Sequence, residues 1–271
     1  RAACAMKHVG LNVAADPLFT FSYTGVRGGA VVCVADDPAM HSSQNEQDSR
    51  HYAIAAKLPM LEPSDSSEAL AFARDAFALS ERFDVPVMLR TCTRIAHSQS
   101  PVEAGERTEV PLLPYEKDPQ KFIMMPAYAK RRHPIVEERT EALRRFAEDC
   151  PYNRVEWGGT EVGVITSGTC YQYVKEVLGD SASVLKLGMV NPLPCDLILG
   201  FAAKVRRLVV VEELDGVIEA HCRTLGLTPE GKSLFPAVGE LSQAAVARAF
   251  GCDVPCGVAL DETIPGRPPM M

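Results

Sequence analysis

"GAVVCVADDPAMHSSQNEQDSRHYA" runs from Gly29 to Ala53, and its reading decides the fold. The first part, Ala30 to Ala35, is an unbroken apolar run rich in β-branched residues. That is the composition of a strand buried on both faces of a parallel sheet. The rest reverses in character. It holds two adjacent aspartates, two histidines and six consecutive polar or charged residues, Ser43 to Asp48. In open α/β sheets, specificity groups collect beyond the carboxyl ends of strands. The stretch therefore predicts a central strand and, directly after it, a site.

Working outward, "VPVMLR" (Val85 to Arg90) is a second strand, and a helix lies between the two. Asp65, with Glu68 three residues on, is a capping-box start, and Leu70, Ala73, Ala76, Phe77 and Phe83 fall on one face at helical spacing. Strand, helix, strand implies a parallel crossover. From Ser100 to about Pro134 periodicity is lost, with five prolines between Pro101 and Pro126, which reads as a connecting loop. A charged helix, Ile135 to Asp149, follows. The rhythm then resumes with strands at Glu161–Gly168, Ser183–Gly188 and Arg207–Glu213. Helices are expected at Tyr171–Leu178, through Ile198, Phe201, Ala202 and Val205, at Val217–Leu225, and at Ser242–Phe250 with a serine N-cap. This predicts an α/β protein of two doubly wound, mostly parallel sheet domains. Residues 1–100 form the first, 101–155 a Pro-rich linker and connecting helix, 156–259 the second, and 260–271 a linker onward.

A net charge of -7 argues against nucleic acid as a partner. No apolar run is long enough to span a membrane. Nine cysteines are scattered. The nearest pair, Cys252 and Cys256, is spaced C-x3-C and has no second pair at metal spacing. This pattern predicts reduced thiols and a cytoplasmic protein. The opening "RAACAMKHVGLN" has no signal-peptide pattern and begins within what reads as structure, the expectation for an internal piece of a longer chain.

The strand-end loop admits several chemistries. Asp36, Asp37, His41 and His51 have metal-ligand types, but no compact ligand spacing. Asp36 and Asp37 as an acid/base pair would point to opposite sides of an extended chain. Ser42 or Ser43 beside His41 lacks the nucleophile elbow of a hydrolase. The plainest alternative is a loop whose Asp, Ser and Asn side chains cap backbone N–H groups. "SGT" (Ser167 to Thr169) and "EELDG" (Glu212 to Gly216), at other strand ends, are rival sites, the first as a phosphate-binding turn or an ordinary helix cap.

The residues also carry a resemblance. "MKHVGLNVAADPL" (Met6 to Leu18), the Gly25–Ala53 stretch, "LEPSDSSEA" (Leu61 to Ala69) and "SERFDVPVMLRTCTRIAHS" (Ser80 to Ser98) resemble the alpha subunit of indolepyruvate ferredoxin oxidoreductase. So do "GVITSGTCYQYVKEVL", "VLKLGMVNPLPCDLI", "VVVEELDGVIE" and "LFPAVGELS". The resemblance implies oxidative decarboxylation of arylpyruvates to acyl-CoA, with electrons passed to ferredoxin. It implies thiamine diphosphate with Mg²⁺, 4Fe-4S clusters, coenzyme A as co-substrate, a beta subunit as partner, and oligomers joined at the thiamine site. The first domain would be the later part of a pyrimidine-binding domain and the second a transketolase C-terminal-like domain. By the same resemblance, His41 and His8 would move protons. Lys7, Asn12, Asp37, Gln44 and Asn45 would face the cofactor, and Arg50 and Ser43 the substrate, although Asp48 and Arg50 could also simply pair with each other. No metal-ligand set is expected within the chain. The glutamate that activates the aminopyrimidine in the family would lie upstream of Arg1, and neither a G-D-G…N diphosphate motif nor a C-x2-C-x2-C cluster occurs. Two other readings are a non-catalytic assembly module and a related enzyme with another 2-oxo acid.

Overall fold

The structure, a computed structural model, describes residues 1–107 and 109–254. It contains two sheets. The strands of the first are β1 (Ala2–Lys7), β2 (Ala30–Asp36), β3 (Met60–Leu61) and β4 (Val87–Cys92), and those of the second are β5 (Arg154–Glu156), β6 (Val162–Ser167), β7 (Ser183–Leu187) and β9 (Arg207–Val211). One strand, β8 (Met189–Asn191), follows directly on β7 yet belongs to the first sheet. The orders are β1-β2-β4-β3-β8 and β5-β7-β6-β9. β1, β2, β4 and β3 run parallel, as do β7, β6 and β9. The outer strands β8 and β5 pair antiparallel.

The helices are α1 (His8–Val13), α2 (Ala15–Thr24), α3 (Arg50–Ala56), α4 (Ser66–Phe83), α5 (Thr93–His97), α6 (Pro119–Phe122), α7 (Pro126–Asp149), α8 (Cys170–Leu178), α9 (Cys195–Ala202), α10 (Val217–Thr224) and α11 (Gln243–Phe250). The expected α/β class and the mostly parallel sheets are present. Ser242 caps α11 by accepting from the Ala245 N–H. Asp65 likewise accepts from the Glu68 N–H at 2.8 Å. Glu68 does not complete the reciprocal box. Its carboxylate turns to the Ser64 N–H and to the fully buried Lys186 of β7, 2.5 Å away, because a buried ammonium needs an anion more than a helix end does.

Three sequence expectations are corrected. The buried face of α4 is Phe72, Ala76, Leu79 and Phe83, while Leu70 is 43% exposed. The connecting loop is shorter than expected, since α7 begins at Pro126 and runs through Pro134. Proline is suited to the first helical turn, and Pro134 lies on the exposed side of α7. The expected strand Ser183–Gly188 ends at Leu187, and a separate strand, β8, follows it in the first sheet. The expected linker at 260–271, and Cys256, lie outside the described residues.

The two sheets share one apolar core, which runs from Val31, Val34 and Met88 through Met60, Leu187 and Met189 to Ile165, Val210 and Ile218. A second, smaller cluster lies under α8 and α11. Gly188 makes the passage from β7 to β8 feasible. A Cβ there would collide with the Tyr152 carbonyl oxygen and the Phe72 ring, so only glycine allows this close approach. The carboxyl ends of β2, β4, β6 and β9 are thereby brought together, which joins the three stretches that the sequence offered as rivals.

Candidate functional site

The loop after β2 is built around Asp37. Its buried carboxylate accepts from the N–H groups of His41 (3.2 Å) and Ser42 (3.0 Å), from Ser43 Oγ (2.5 Å) and from Thr93 Oγ1 (2.8 Å). Lys7 Nζ lies 3.3 Å from the same carboxylate and also donates to the Ser42 carbonyl and hydroxyl. Burial opposes ionisation here, but the donors from Ser43, Ser42, Thr93 and Lys7 prevail and hold Asp37 well below the usual carboxylate range. The loop bends through Ala39 and Met40, both non-glycine residues at positive φ (67° and 53°). Strain of this kind persists only where surrounding contacts over-determine the backbone, and the Asp37 cage supplies those contacts.

His8 is fully buried at the start of α1, with Nε2 3.2 Å from the Asn45 carbonyl and Nδ1 without a partner. Asn12 accepts from Tyr52 of α3 at 2.6 Å. Asn45 faces solvent, with its side chain accepting from Gln47, and Gln44 is exposed. His41 is half exposed, with Nε2 3.5 Å from Glu240. The structure thus brings Lys7, Asp37, His41 and Ser43 together, seals His8 beneath the loop, and leaves Asn12 and Gln44 apart from them.

Arg50 is a correction. It does not face an open pocket, because its guanidinium is buried and committed. It reaches Asp48 Oδ2 at 2.6 Å, Glu212 Oε2 at 2.5 Å, and the carbonyls of Glu213 (2.9 Å) and Asp215 (2.8 Å). Glu212 also accepts from the Ile218 and Glu219 N–H groups that open α10. The expected alternative, a pair with Asp48, is what forms. Against the cost of burial, Arg50 and Arg90 hold Asp48 well below the usual carboxylate range.

Sequence reasoning missed Arg90. It is buried in β4 and bonds Asp36 (Nε–Oδ2 2.7 Å) and Glu62, which in turn accepts from Ser167 of β6 at 3.1 Å. Asp36 closes the network on Ser49 (Oγ 2.5 Å, N–H 3.0 Å). Asp36 and Asp37 do point to different partners, as expected of adjacent residues in a strand. An arginine ending an otherwise apolar strand was the available signal. Buried arginine needs carboxylates, and four are within this network.

Beside the network lies a cavity of about 680 Å³ lined by residues of both halves, among them His41, Thr93, Arg94, Thr169 and Glu240. Against the cluster that includes Arg94 and Glu240 sits Glu213, half-buried, whose carboxyl accepts from the Leu241 N–H at 3.1 Å. Burial pushes it up to about 7, aided by Glu240 and Glu62 and opposed by the Leu241 N–H and Arg90. Cys92 Sγ is 2.8 Å from Thr169 Oγ1, and the Tyr173 hydroxyl is buried with no partner.

The metal reading that joins Asp36, Asp37, His41 and His51 fails on geometry. Among the described residues the one group of three potential ligands is Asp48, His51 and Asp215, and Asp48 belongs to Arg50. The eight described cysteines are free.

No family model matches the chain. It is 45% identical to "Indolepyruvate oxidoreductase subunit IorA" of Archaeoglobus fulgidus, over 84% of this chain and 37% of that protein. It is 42% identical to the protein of the same name from Methanothermobacter thermautotrophicus, over 98% of this chain and 46% of that one. The resemblance read from the motifs therefore extends over most of the chain, which spans less than half the length of these curated relatives. Among solved structures, a 2-oxoglutarate:ferredoxin oxidoreductase from Magnetococcus marinus matches 92% of the chain and is itself matched over 52%, with a TM-score of 0.68 at 15% identity. A split-gene transketolase described as an inactive tetramer matches 93% and is matched over 71%, with a TM-score of 0.51 at 14% identity. These two show a shared fold.

Proposed function

We propose that this chain is the substrate-side part of an enzyme that oxidatively decarboxylates arylpyruvates such as indolepyruvate to acyl-CoA, with ferredoxin as electron acceptor and a beta subunit as partner. The observation that carries this reading is the 42–45% identity to proteins named indolepyruvate oxidoreductase subunits. It is supported by the placement of the caged Asp37 loop at the meeting point of four strand ends. In this reading Lys7 and His41 are the groups that reach a 2-oxo acid, and the Asp37 cage fixes their positions. Ser43 is an anchor of the cage. His8, sealed under the loop, sets the loop's height through the Asn45 carbonyl. In this reading the two domains are residues 1–100 and 156–259, with β8 crossing from the second into the sheet of the first, and the scattered free thiols favour a cytoplasmic protein.

Thiamine diphosphate would supply the carbanion stabilisation that 2-oxo acid decarboxylation requires. Its diphosphate is ordinarily held through a divalent cation on oxygen ligands. The described residues do not fit that role, since Asp48 is neutralised by Arg50 while His51 and Asp215 are exposed and bonded to each other at 2.8 Å. No cluster of described cysteines fits an iron–sulfur centre either. The remainder of the enzyme would have to hold these groups.

A second reading, a non-catalytic assembly module, is favoured by the exposed apolar run before α6. Leu112, Leu113 and Tyr115 are 99%, 61% and 88% exposed, a surface of the kind that marks subunit contacts.

The discriminating experiment exchanges the matching segment of the Archaeoglobus fulgidus subunit for this chain. Indolepyruvate-dependent dye reduction by the chimera is the expected result. A chimera that assembles and binds thiamine diphosphate but turns over no arylpyruvate would refute the substrate-side role and leave the assembly reading.

A further inference from the structure

The cavity beside the ion network is closed on one side by a single acidic side chain. Glu240 accepts from Arg94 through both oxygens, Nε–Oε1 2.6 Å and Nη2–Oε2 2.8 Å. Its Oε2 also lies 3.5 Å from His41 Nε2. Arg94 is on α5, His41 follows the turn after β2, and Glu240 comes from the loop before α11 in the other half of the molecule. A planar guanidinium meeting two oxygens in parallel is the geometry with which arginine holds any carboxylate or phosphate.

We propose that this cavity binds a small oxyanion, the carboxylate or phosphate of a ligand, which takes Glu240's place on Arg94 and His41. Three features support the exchange. First, the Arg94 and His41 side chains are each 49% exposed, so an incoming anion can reach them. Second, the lining around them presents further hydroxyls, those of Ser100 and Thr169. The other acid of the lining, Asp65, is already occupied by the Glu68 N–H and by Gln172. With Glu240 turned away, the fork of Arg94 is left without its carboxylate partner, which suits an incoming anion. Third, Glu240 can move at little cost. It lies between Phe235 and Leu241, both 2% exposed, on a loop where Val238 is 85% exposed and Gly239 sits at φ +89°. Anchors at both ends of the loop leave the core undisturbed when the side chain swings. A cavity of about 680 Å³ is in the range of small-molecule sites.

The inference goes beyond the proposed reaction, which assigns no role to Arg94 or Glu240, and its test needs no cofactor and no turnover. Inorganic phosphate and acetate, as two separate arms, are titrated by calorimetry into the full 271-residue chain and its variants. Removing the internal competitor in Glu240→Gln should tighten binding of at least one probe by about tenfold, the equivalent of ~1.4 kcal/mol. Glu240→Ala should do the same, and the arm that gains identifies phosphate or carboxylate as the ligand group. Arg94→Gln placed in the Glu240→Gln background should abolish the gain, and Arg94→Lys, which keeps the charge but loses the fork, should abolish most of it. If neither Glu240 variant binds either probe more tightly than the unmodified chain, or if the gain survives loss of Arg94, the proposal is wrong.

Discussion

Replacing Glu213 by glutamine tests the electrostatics of the strand-end junction directly. Glu213 follows β9, and its carboxylate, unlike its carbonyl, has no cation among its hydrogen-bond partners in the described residues, only the Leu241 N–H. Cys92 from the end of β4, Cys170 and Tyr173 from α8, and the carboxylates Glu62 and Glu240 surround it, with Arg90 as the one opposing charge of weight. Burial is the main reason that its carboxyl moves from the ordinary 4.5 to about 7. The folded state therefore keeps a proton that the unfolded chain releases between those two values. Stability is highest below about pH 4.5 as far as this group is concerned, and falls as pH rises through 7. Complete ionisation corresponds to at most ~3 kcal/mol. Glutamine can keep the bond from Leu241 and never ionises. Urea midpoints of the chain and of Glu213→Gln should coincide at about pH 4 and separate by about pH 8, with the variant more stable by roughly 1–3 kcal/mol. Parallel pH profiles, or a variant that is weaker at pH 8, would refute the reasoning, since either would mean that the carboxyl is solvated.

Other outcomes follow from the same geometry. Arg50→Met leaves Asp48 and Glu212 buried without their partner, and chemical denaturation should show a loss of about 3–5 kcal/mol; a change under 1 kcal/mol would mean that water replaces the guanidinium. His41→Ala and Gln44→Ala should each shift the unfolding free energy by less than about 0.5 kcal/mol. In the chimeric enzyme His41→Ala should lower kcat/KM by roughly tenfold while Gln44→Ala, whose side chain stands apart, should not, so unchanged kinetics in His41→Ala would reduce the loop to a backbone cap. Limited proteolysis should cut first between residues 100 and 118, where the described residues form neither helix nor strand. The nicked halves should still elute together on gel filtration, because β8 and the common core join them, and separation into two particles would contradict the shared core.

Much of the local structure was legible. Apolar β-branched runs gave β2, β4, β6, β7 and β9, and the Asp65 and Ser242 caps lie within three residues of the N–H groups they satisfy. What could not be read depends on partners far along the chain. β8 is three residues long and is a strand only because β3 lies beside it. Arg90 and Arg50 meet acids 28 to 162 positions away, and no local pattern records such pairings. The α4 face was misjudged for a related reason: Phe72 is buried against Tyr152, at a ring separation of 5.1 Å, a neighbour that helical periodicity cannot supply. The loop motif placed a polar cluster at a strand end, where the Asp37 cage lies, but not the division of labour within it. Asp37 is an organiser, and Arg50 is a clamp between the halves.

The step from β7 to β8 bears on the order in which the molecule is made. Ribosomal synthesis delivers β1, β2, β3 and β4 early, yet their sheet lacks its outer strand until residues 189–191 emerge, and Glu62 waits as long for its bond to the Gly188 carbonyl. Until then β3 is an unprotected edge open to pairing with another nascent chain. Closing a loop of well over a hundred residues is slow relative to local helix formation. Chains stalled or truncated before Gly188 should therefore be the aggregating species in expression, whereas those released beyond Asn191 can close the sheet from within.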